Sequence, residues 1–424
     1  MNPAAGTSVS VVEPRFSAHS AFDRLMAPRA LRPTYQPIID LATGDVVAFE
    51  ALARWPDVDG ATPDAVFAAA RHNGRTVELD WACRIAALEG ALAQGLGRDH
   101  MLFLNVEPAA LATDAPAGAD VVIAAAHRNL RVMLELTERA LVDHPAELLR
   151  VVAWARERGW SIALDDVGAA PESLALLPFL APDVIKLDVS LVTRRPDAVQ
   201  SAVMAAVMAH GERTGAVILA EGIETADHLD QALALGATLG QGWRFGRPSP
   251  LLAAPAPAVA IAAARDHPTV APTPFALLDG QATRVGRKGL LLDLTRHIEM
   301  QGLHLDPAPV VISSFQTADR FTPATERRYR ELAERCPLVA AVAVGLRSVA
   351  SLGVHSGAIG PDDPLVREWT VTVVGPHYAA ALIASDLGDD GPDLDRRFRF
   401  LVTHDRDLVV DAARSLMSRI TAAP

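Results

Sequence analysis

Two adjacent carboxylates, Asp165 and Asp166, close a short apolar run in SIALDDVGAA (161–170). Side by side they repel each other, and they lose hydration if covered; a cation bound between them removes both costs. Gly168 follows and lets the chain turn. Other short apolar runs end the same way. Glu50 follows VVAF, Asn105 follows MLFL, and Glu135 lies in RVMLEL. Lys186 and Asp188 lie in DVIKLD, Glu221 follows VILA, and Gln241 comes later. An acid at such a place is ordinarily a helix cap or a solvated loop residue. Glutamate is a poor cap, however, and here nearly every run ends in an acid or amide. Oxygen donors alone, mostly carboxylates, suit Mg²⁺ or Mn²⁺ rather than zinc. No HxH, HExxH or HxxH pattern occurs, and the pair His404-Asp405 lies far along the chain.

The elements carrying these residues read as short strands alternating with helices. Thr34–Leu41 and Val46–Leu52 are strand-like, with a Gly-containing hairpin loop between them. Thr62-Pro63 is a helix start, with a capping residue before a first-turn proline. Strands follow at Met101–Asn105, Arg131–Leu136, Ser161–Asp165, Asp183–Asp188 and Val217–Glu221, with helical stretches such as Pro145–Arg158 and Ala198–Thr214 between them. This alternation indicates parallel βα units buried on both faces. Seven or eight such units in about 230 residues suit a (β/α)8 barrel, whose strand ends meet at one face. A doubly wound open sheet is the runner-up, but the Gly-rich phosphate turn usual to it is missing. Parity agrees with the barrel: Met133 and Glu135 share one face of their strand, and Lys186 and Asp188 share one face of theirs.

The totals narrow the class. The 424 residues allow two or three domains, and the net charge of −12 argues against bulk nucleic-acid or anionic-membrane binding. The two cysteines, Cys83 and Cys336, form no CxxC, which suits a reducing cytosol. No signal-like start and no long apolar run occur, so a cytoplasmic protein without a membrane span is expected. Residues 1–19 read as a disordered tail, 20–250 as the barrel domain, 251–274 as an Ala/Pro-rich linker, and 275–424 as a smaller α/β domain. In that last domain PVVIS (309–313), Leu338–Gly345, Trp369–Val374 and Arg397–Thr403 read as strands, with helix starts at Thr322-Pro323 and Asp405. Trp369 and Phe315 are read as core residues.

The motifs of the first domain, taken in order, resemble the EAL family of cyclic di-GMP phosphodiesterases. They are YQPIIDLATG, FEALARW, FLNVEP, LELTE, ALDDVG, IKLD, AEGIET and QGWRFGRP, spread over roughly residues 20–250. The resemblance implies a barrel of TIM type whose first strand runs antiparallel to its neighbour. It implies two metal ions per active site, Mg²⁺ or Mn²⁺. Glu50, Asn105, Glu135 and Asp165 match the ligands of one ion; Asp165, Asp166 and Glu221 match those of the other. Lys186 matches the residue that positions the attacking water, and Asp188 and Gln241 match groups supporting water and substrate. Gln36, Leu52 and Arg54 match positions contacting the dinucleotide, and Glu138 matches the anchor of the loop after the paired aspartates. The implied reaction is hydrolysis of one ester of cyclic di-GMP to linear pGpG, in a homodimer formed through this domain.

The loop departs from the family pattern DDFGTGYSS. Val167, Ala169, Ala170 and Pro171 replace the phenylalanine, threonine, second glycine and tyrosine. A second reading therefore stands beside the enzyme, a non-catalytic cyclic di-GMP receptor or interaction module. No cyclase motif of the GGDEF kind is present. The second domain resembles the DICT sensory domain in ISSFQ, FTPATERRYRELA, DPLVREWTVTVVGPHYAAAL and RRFRFLVTHDRDLV. That resemblance implies regulation and leaves the signal or partner unknown.

Overall fold

The computed structural model describes residues 16, 19–27, 29–107, 110, 113, 115–137, 145–168, 171–194, 197–251, 270–347 and 349–420. The tail at 1–19 and the linker at 251–274 fall mostly outside the described residues, and Glu138, Ala169 and Ala170 fall outside them entirely.

Eight strands close into a barrel. They are β1 (Arg32–Asp40), β2 (Val46–Arg54), β3 (Met101–Asn105), β4 (Arg131–Thr137), β5 (Ser161–Val167), β6 (Val184–Leu187), β7 (Val217–Ala220) and β8 (Leu239–Gly240). β1 runs antiparallel to both β2 and β8, and the other neighbours are parallel. The reversal follows from a local turn. Asp40 accepts from the backbone N–H groups of Ala42 and Thr43, and Gly44 takes a positive φ of 80°. The helix Pro63–His72 starts where Thr62 accepts from the N–H of Ala65.

Strand periodicity divides the side chains into two layers. Ile38, Ala48, Phe103, Met133, Ala163, Val184, Leu219 and Leu239 fill the barrel interior. Their neighbours Leu102, Leu134, Ile162, Ile185 and Ile218 point outward beneath the helices. The barrel is thus plugged by a dry layer, and whatever follows that layer toward the strand ends stands above an apolar floor.

The second domain is a seven-stranded sheet in the order β12-β11-β10-β13-β14-β15-β9. Its strands are β9 (Arg284–Arg287), β10 (Val310–Thr317), β11 (Val339–Val344), β12 (His355–Ile359), β13 (Glu368–Val374), β14 (Ala379–Asp386) and β15 (Arg397–Thr403). β10, β11 and β12 are parallel and the remaining pairs antiparallel. The helices Lys288–His304 and Pro323–Ala333 cover one face, packing Leu291, Ile298, Tyr329 and Leu332 on Val311, Val371 and Leu382. The helix Arg406–Met417 covers the other face with Val409, Ala413 and Leu416. Asp405 caps that helix by accepting from the N–H groups of Asp407 and Leu408.

The cluster under this last helix continues into the barrel domain through Leu176, Leu177 and Phe179. Arg414 ties the two together, donating to the carbonyls of Phe179 (3.0 Å) and Pro178 (2.6 Å). The clasped residues lie between β5, the strand that carries Asp165 and Asp166, and β6. Replacing Arg414→Ala withdraws both donors from a largely buried seam. We expect a loss of about 1–3 kcal/mol in unfolding free energy, read by urea denaturation of the full chain. An unchanged midpoint would show that the seam does not depend on this residue.

Candidate active site

The polar residues at the strand ends stand one step beyond the interior apolar layer. Glu50, Asn105, Glu135, Asp165, Lys186, Glu221 and Gln241 each lie two residues after an interior residue of the same strand, and so share its face. Gln36 lies two residues before Ile38, because β1 runs the other way.

Lys186 is the centre. Its Nζ lies 2.7 Å from Glu135, 2.7 Å from Glu221, 2.9 Å from Asp165 and 4.0 Å from Glu50, and only 1% of its side chain is exposed. Glu50 is held from two further sides, accepting from Asn105 Nδ2 at 2.9 Å and from Gln241 Nε2 at 2.7 Å. Gln241 also reaches Gln36 Oε1 at 3.2 Å, and Gln36 in turn donates to the carbonyl of Gly246.

The paired aspartates would face opposite ways on a regular strand. Here the β5–β6 register shifts between Leu164 and Val167, and Asp166 adopts a left-handed φ of 57°. Val167 consequently turns outward into the helix-covered layer. Oxygens of Asp165, Asp166 and Glu221 come within 4.8 Å of one another. Gly168 permits this turn: its φ is 105°, and an added Cβ would stand 2.5 Å from Leu191 Cδ1.

The electrostatics follow from the crowding. Burial pushes the Glu135 carboxyl well above its usual range, and the neighbouring Glu50 adds to this. Burial likewise raises Glu221 to about 7 against the pull of Lys186. Burial opposes the charge on Lys186, but Glu135, Glu221, Glu50 and Asp165 outweigh it and raise its pKa. Burial would also raise Glu50, yet Lys186 and the donors Gln241 and Asn105 hold it below the ordinary value. Glu50, Glu135, Asp165 and Glu221 thus crowd around one buried ammonium, with Asp166 brought close to Asp165 and Glu221, an acidic cluster that hard divalent cations would suit. The donor set, carboxylates with one amide oxygen, fits Mg²⁺ or Mn²⁺.

Leu52 and Arg54 line a cavity of about 340 Å³ together with Asn105 and Glu135. Asp188 sits apart from this chemistry in one respect: its carboxylate caps the helix Val189–Thr193 by accepting from the N–H of Ser190 at 2.9 Å. Two residues of the cavity wall were missed from sequence. Asp80 and Arg84 form a buried ion pair at 2.6 Å on the helix Thr76–Ala93, and Arg84 stacks over Trp81. Asp80 also accepts from the N–H of Glu107, steadying the chain just after Asn105. An Asp and an Arg four apart on one helix, flanking Trp81, were the available signal.

The family model for the EAL domain matches residues 20–248. That for the sensory domain in diguanylate cyclases and two-component systems, DICT, matches residues 277–387. A probable cyclic di-GMP phosphodiesterase of Escherichia coli, PdeB, is 31% identical over 241 residues, which are 55% of this chain and 46% of that protein. The cyclic di-GMP phosphodiesterase RocR of Pseudomonas aeruginosa is 32% identical over 224 residues, 51% of this chain and 57% of that one. The chain therefore spans about half the length of these curated relatives. A manganese and cyclic di-GMP complex of Klebsiella pneumoniae BlrP1 is 30% identical, covering 53% of this chain and 57% of that one with a TM-score of 0.47.

Replacing Lys186→Met leaves the buried carboxylates without their shared cation. We expect the metal-free variant to lose about 3–5 kcal/mol of stability. Added Mn²⁺ should raise its melting temperature more than that of the parent protein. Equal shifts with Mn²⁺ in both proteins would contradict this account of the charge balance.

Proposed function

The chain belongs to the EAL family, and on that premise we propose that it hydrolyses cyclic di-GMP to linear pGpG at the mouth of the barrel. The observation that carries the proposal is the convergence of Asp165, Asp166 and Glu221 oxygens beside the Lys186 cluster. Glu50, Asn105, Glu135 and Asp165 would hold one divalent ion, and Asp165, Asp166 and Glu221 a second. Bound there, the ions supply a water of lowered pKa and positive charge for a phosphate oxygen.

The remaining work falls to the chain's own residues. Arg54, in the adjoining cavity, suits a bidentate grip on a phosphate, which lysine would not reproduce. Leu52 offers apolar contact in the same wall, and Gln36, paired across the strands with Glu50, offers a polar group. Asn105 and Gln241 fix the Glu50 carboxylate. The Lys186 ammonium, which lies among Glu135, Asp165 and Glu221, would be released as those carboxylates turn to metal, and could then donate to the attacking water and hold it in line with the scissile bond. Oxygen from that water joins phosphorus, the bond to the 3′-oxygen breaks, and the leaving oxygen takes a proton. Glu138 would anchor the loop after Asp166, and Gly168 allows its turn.

Regulation by the second domain is part of the same proposal. The Arg414 clasp on Pro178 and Phe179 supports it, since a shift of the C-terminal helix would pull on the segment that follows the paired aspartates. A homodimer through the barrel domain completes the reading. No helix among the described residues is long and apolar enough to cross a membrane.

The altered residues after Asp166 favour the receptor alternative. The bulge and the left-handed Asp166, which bring its carboxylate to Asp165 and Glu221, favour the enzyme. Incubation with cyclic di-GMP and Mn²⁺ separates them: the proposal expects pGpG from the native chain and none from Glu50→Ala. Binding without product in the native chain would select the receptor, and unchanged hydrolysis by Glu50→Ala would refute the site.

A further inference from the structure

A second cavity lies in the C-terminal domain, on the sheet face away from the barrel. Its volume is about 270 Å³, at the small end for ligand sites. Leu292, Phe315 and Trp369 form its apolar wall, and Lys288, Arg320 and Arg328 bring cations to it. Phe315 and Trp369, read from sequence as core, are indeed packed in the core, yet each also presents surface to this space.

The charges are arranged rather than scattered. Arg328 is balanced from within, its Nε lying 2.6 Å from the buried Glu299, which also accepts from Tyr329 Oη at 2.9 Å. Arg320 lies 3.4 Å from Asp319 beside it, and with Lys288, a buried lysine, it shares a further carboxylate brought in from outside. Asp393 lies on the loop between β14 and β15, with half of its side chain exposed. It accepts from Lys288 at 2.5 Å, Arg320 at 2.7 Å and Arg396 at 3.3 Å. The N-termini of two helices meet at the same place: Lys288 opens a 17-residue helix, and Thr322 caps an 11-residue one. Their backbone dipoles also favour an anion there. The rest of the loop is anchored separately from the cavity, by Arg397 on Asp389 and Arg287 on Asp395, so Asp393 is its contact with Lys288 and Arg320.

We propose that this cavity is the input site of the sensory domain, binding a small organic anion. Its planar apolar body would lie against Phe315 and Trp369. Its carboxylate or phosphate would take the place of the Asp393 carboxylate on Lys288 and Arg320. Asp393 is then an internal competitor, and ligand binding frees its loop. The inference concerns the second domain alone and stands whether or not the barrel proves catalytic.

Calorimetric titration of the full chain with benzoate and with phenyl phosphate tests it, with benzylamine as the cationic control. Saturable binding of at least one anion and none of benzylamine is expected, and the stronger of the two identifies the acidic group. Lys288→Met should weaken that binding by about tenfold or more, a loss of the order of one buried charge-assisted contact. Asp393→Asn, which removes the competitor's charge at constant size, should tighten it. This opposite sign separates recognition from a folding defect in the lysine variant. The proposal is overturned if neither anion binds the native chain or Asp393→Asn, if benzylamine binds as well as the anions, or if Asp393→Asn fails to tighten binding.

Discussion

Everything at the barrel mouth depends on one constraint, the crowding of carboxylates around the buried ammonium of Lys186. Carboxylates so close and so covered are costly without positive charge, and one lysine does not balance them. The fold meets the cost by rigidity. An apolar layer plugs the barrel beneath, amides from Asn105 and Gln241 brace Glu50, and the bulge in β5 brings Asp166 around to the same side as Asp165. A site built this way suits hard divalent cations.

Much of this was legible in the sequence because strand parity is a strict rule. The interior residue and the polar residue two positions on must share a face, so Met133 with Glu135 and Val184 with Lys186 could be paired on paper. The antiparallel first strand was legible from its hairpin, and the helix starts at Thr62, Thr322 and Asp405 from their capping chemistry. What parity could not supply was the way two adjacent aspartates reach one site. That required a bulge and a left-handed non-glycine residue, and neither has a reliable local signature. Asp188 also caps the next helix through one carboxylate oxygen, a second contact that its place after the strand did not reveal. The strands β9, β12 and β14 were not anticipated. β9 is a four-residue edge strand rich in arginine, and β14 is an alanine-rich run whose strand character comes from its neighbours rather than its own propensity.

The second domain is more than an appendage on a tether. Its C-terminal helix shares a continuous apolar cluster with the barrel, and Arg414 secures the segment downstream of β5. Its sheet has one face on that helix and the other on the cavity closed by Asp393. The sheet thus joins the cavity on one face to the helix that clasps the barrel on the other.

The central claim is that the strand-end carboxylates hold two divalent cations. Crystals grown with Mn²⁺ and measured for anomalous scattering test it directly. The account predicts two peaks, one among Glu50, Asn105, Glu135 and Asp165 and one among Asp165, Asp166 and Glu221, with Lys186 drawn off the carboxylates that turn to metal. A map without peaks there, and Lys186 still bound to Glu135, Asp165 and Glu221, would contradict it.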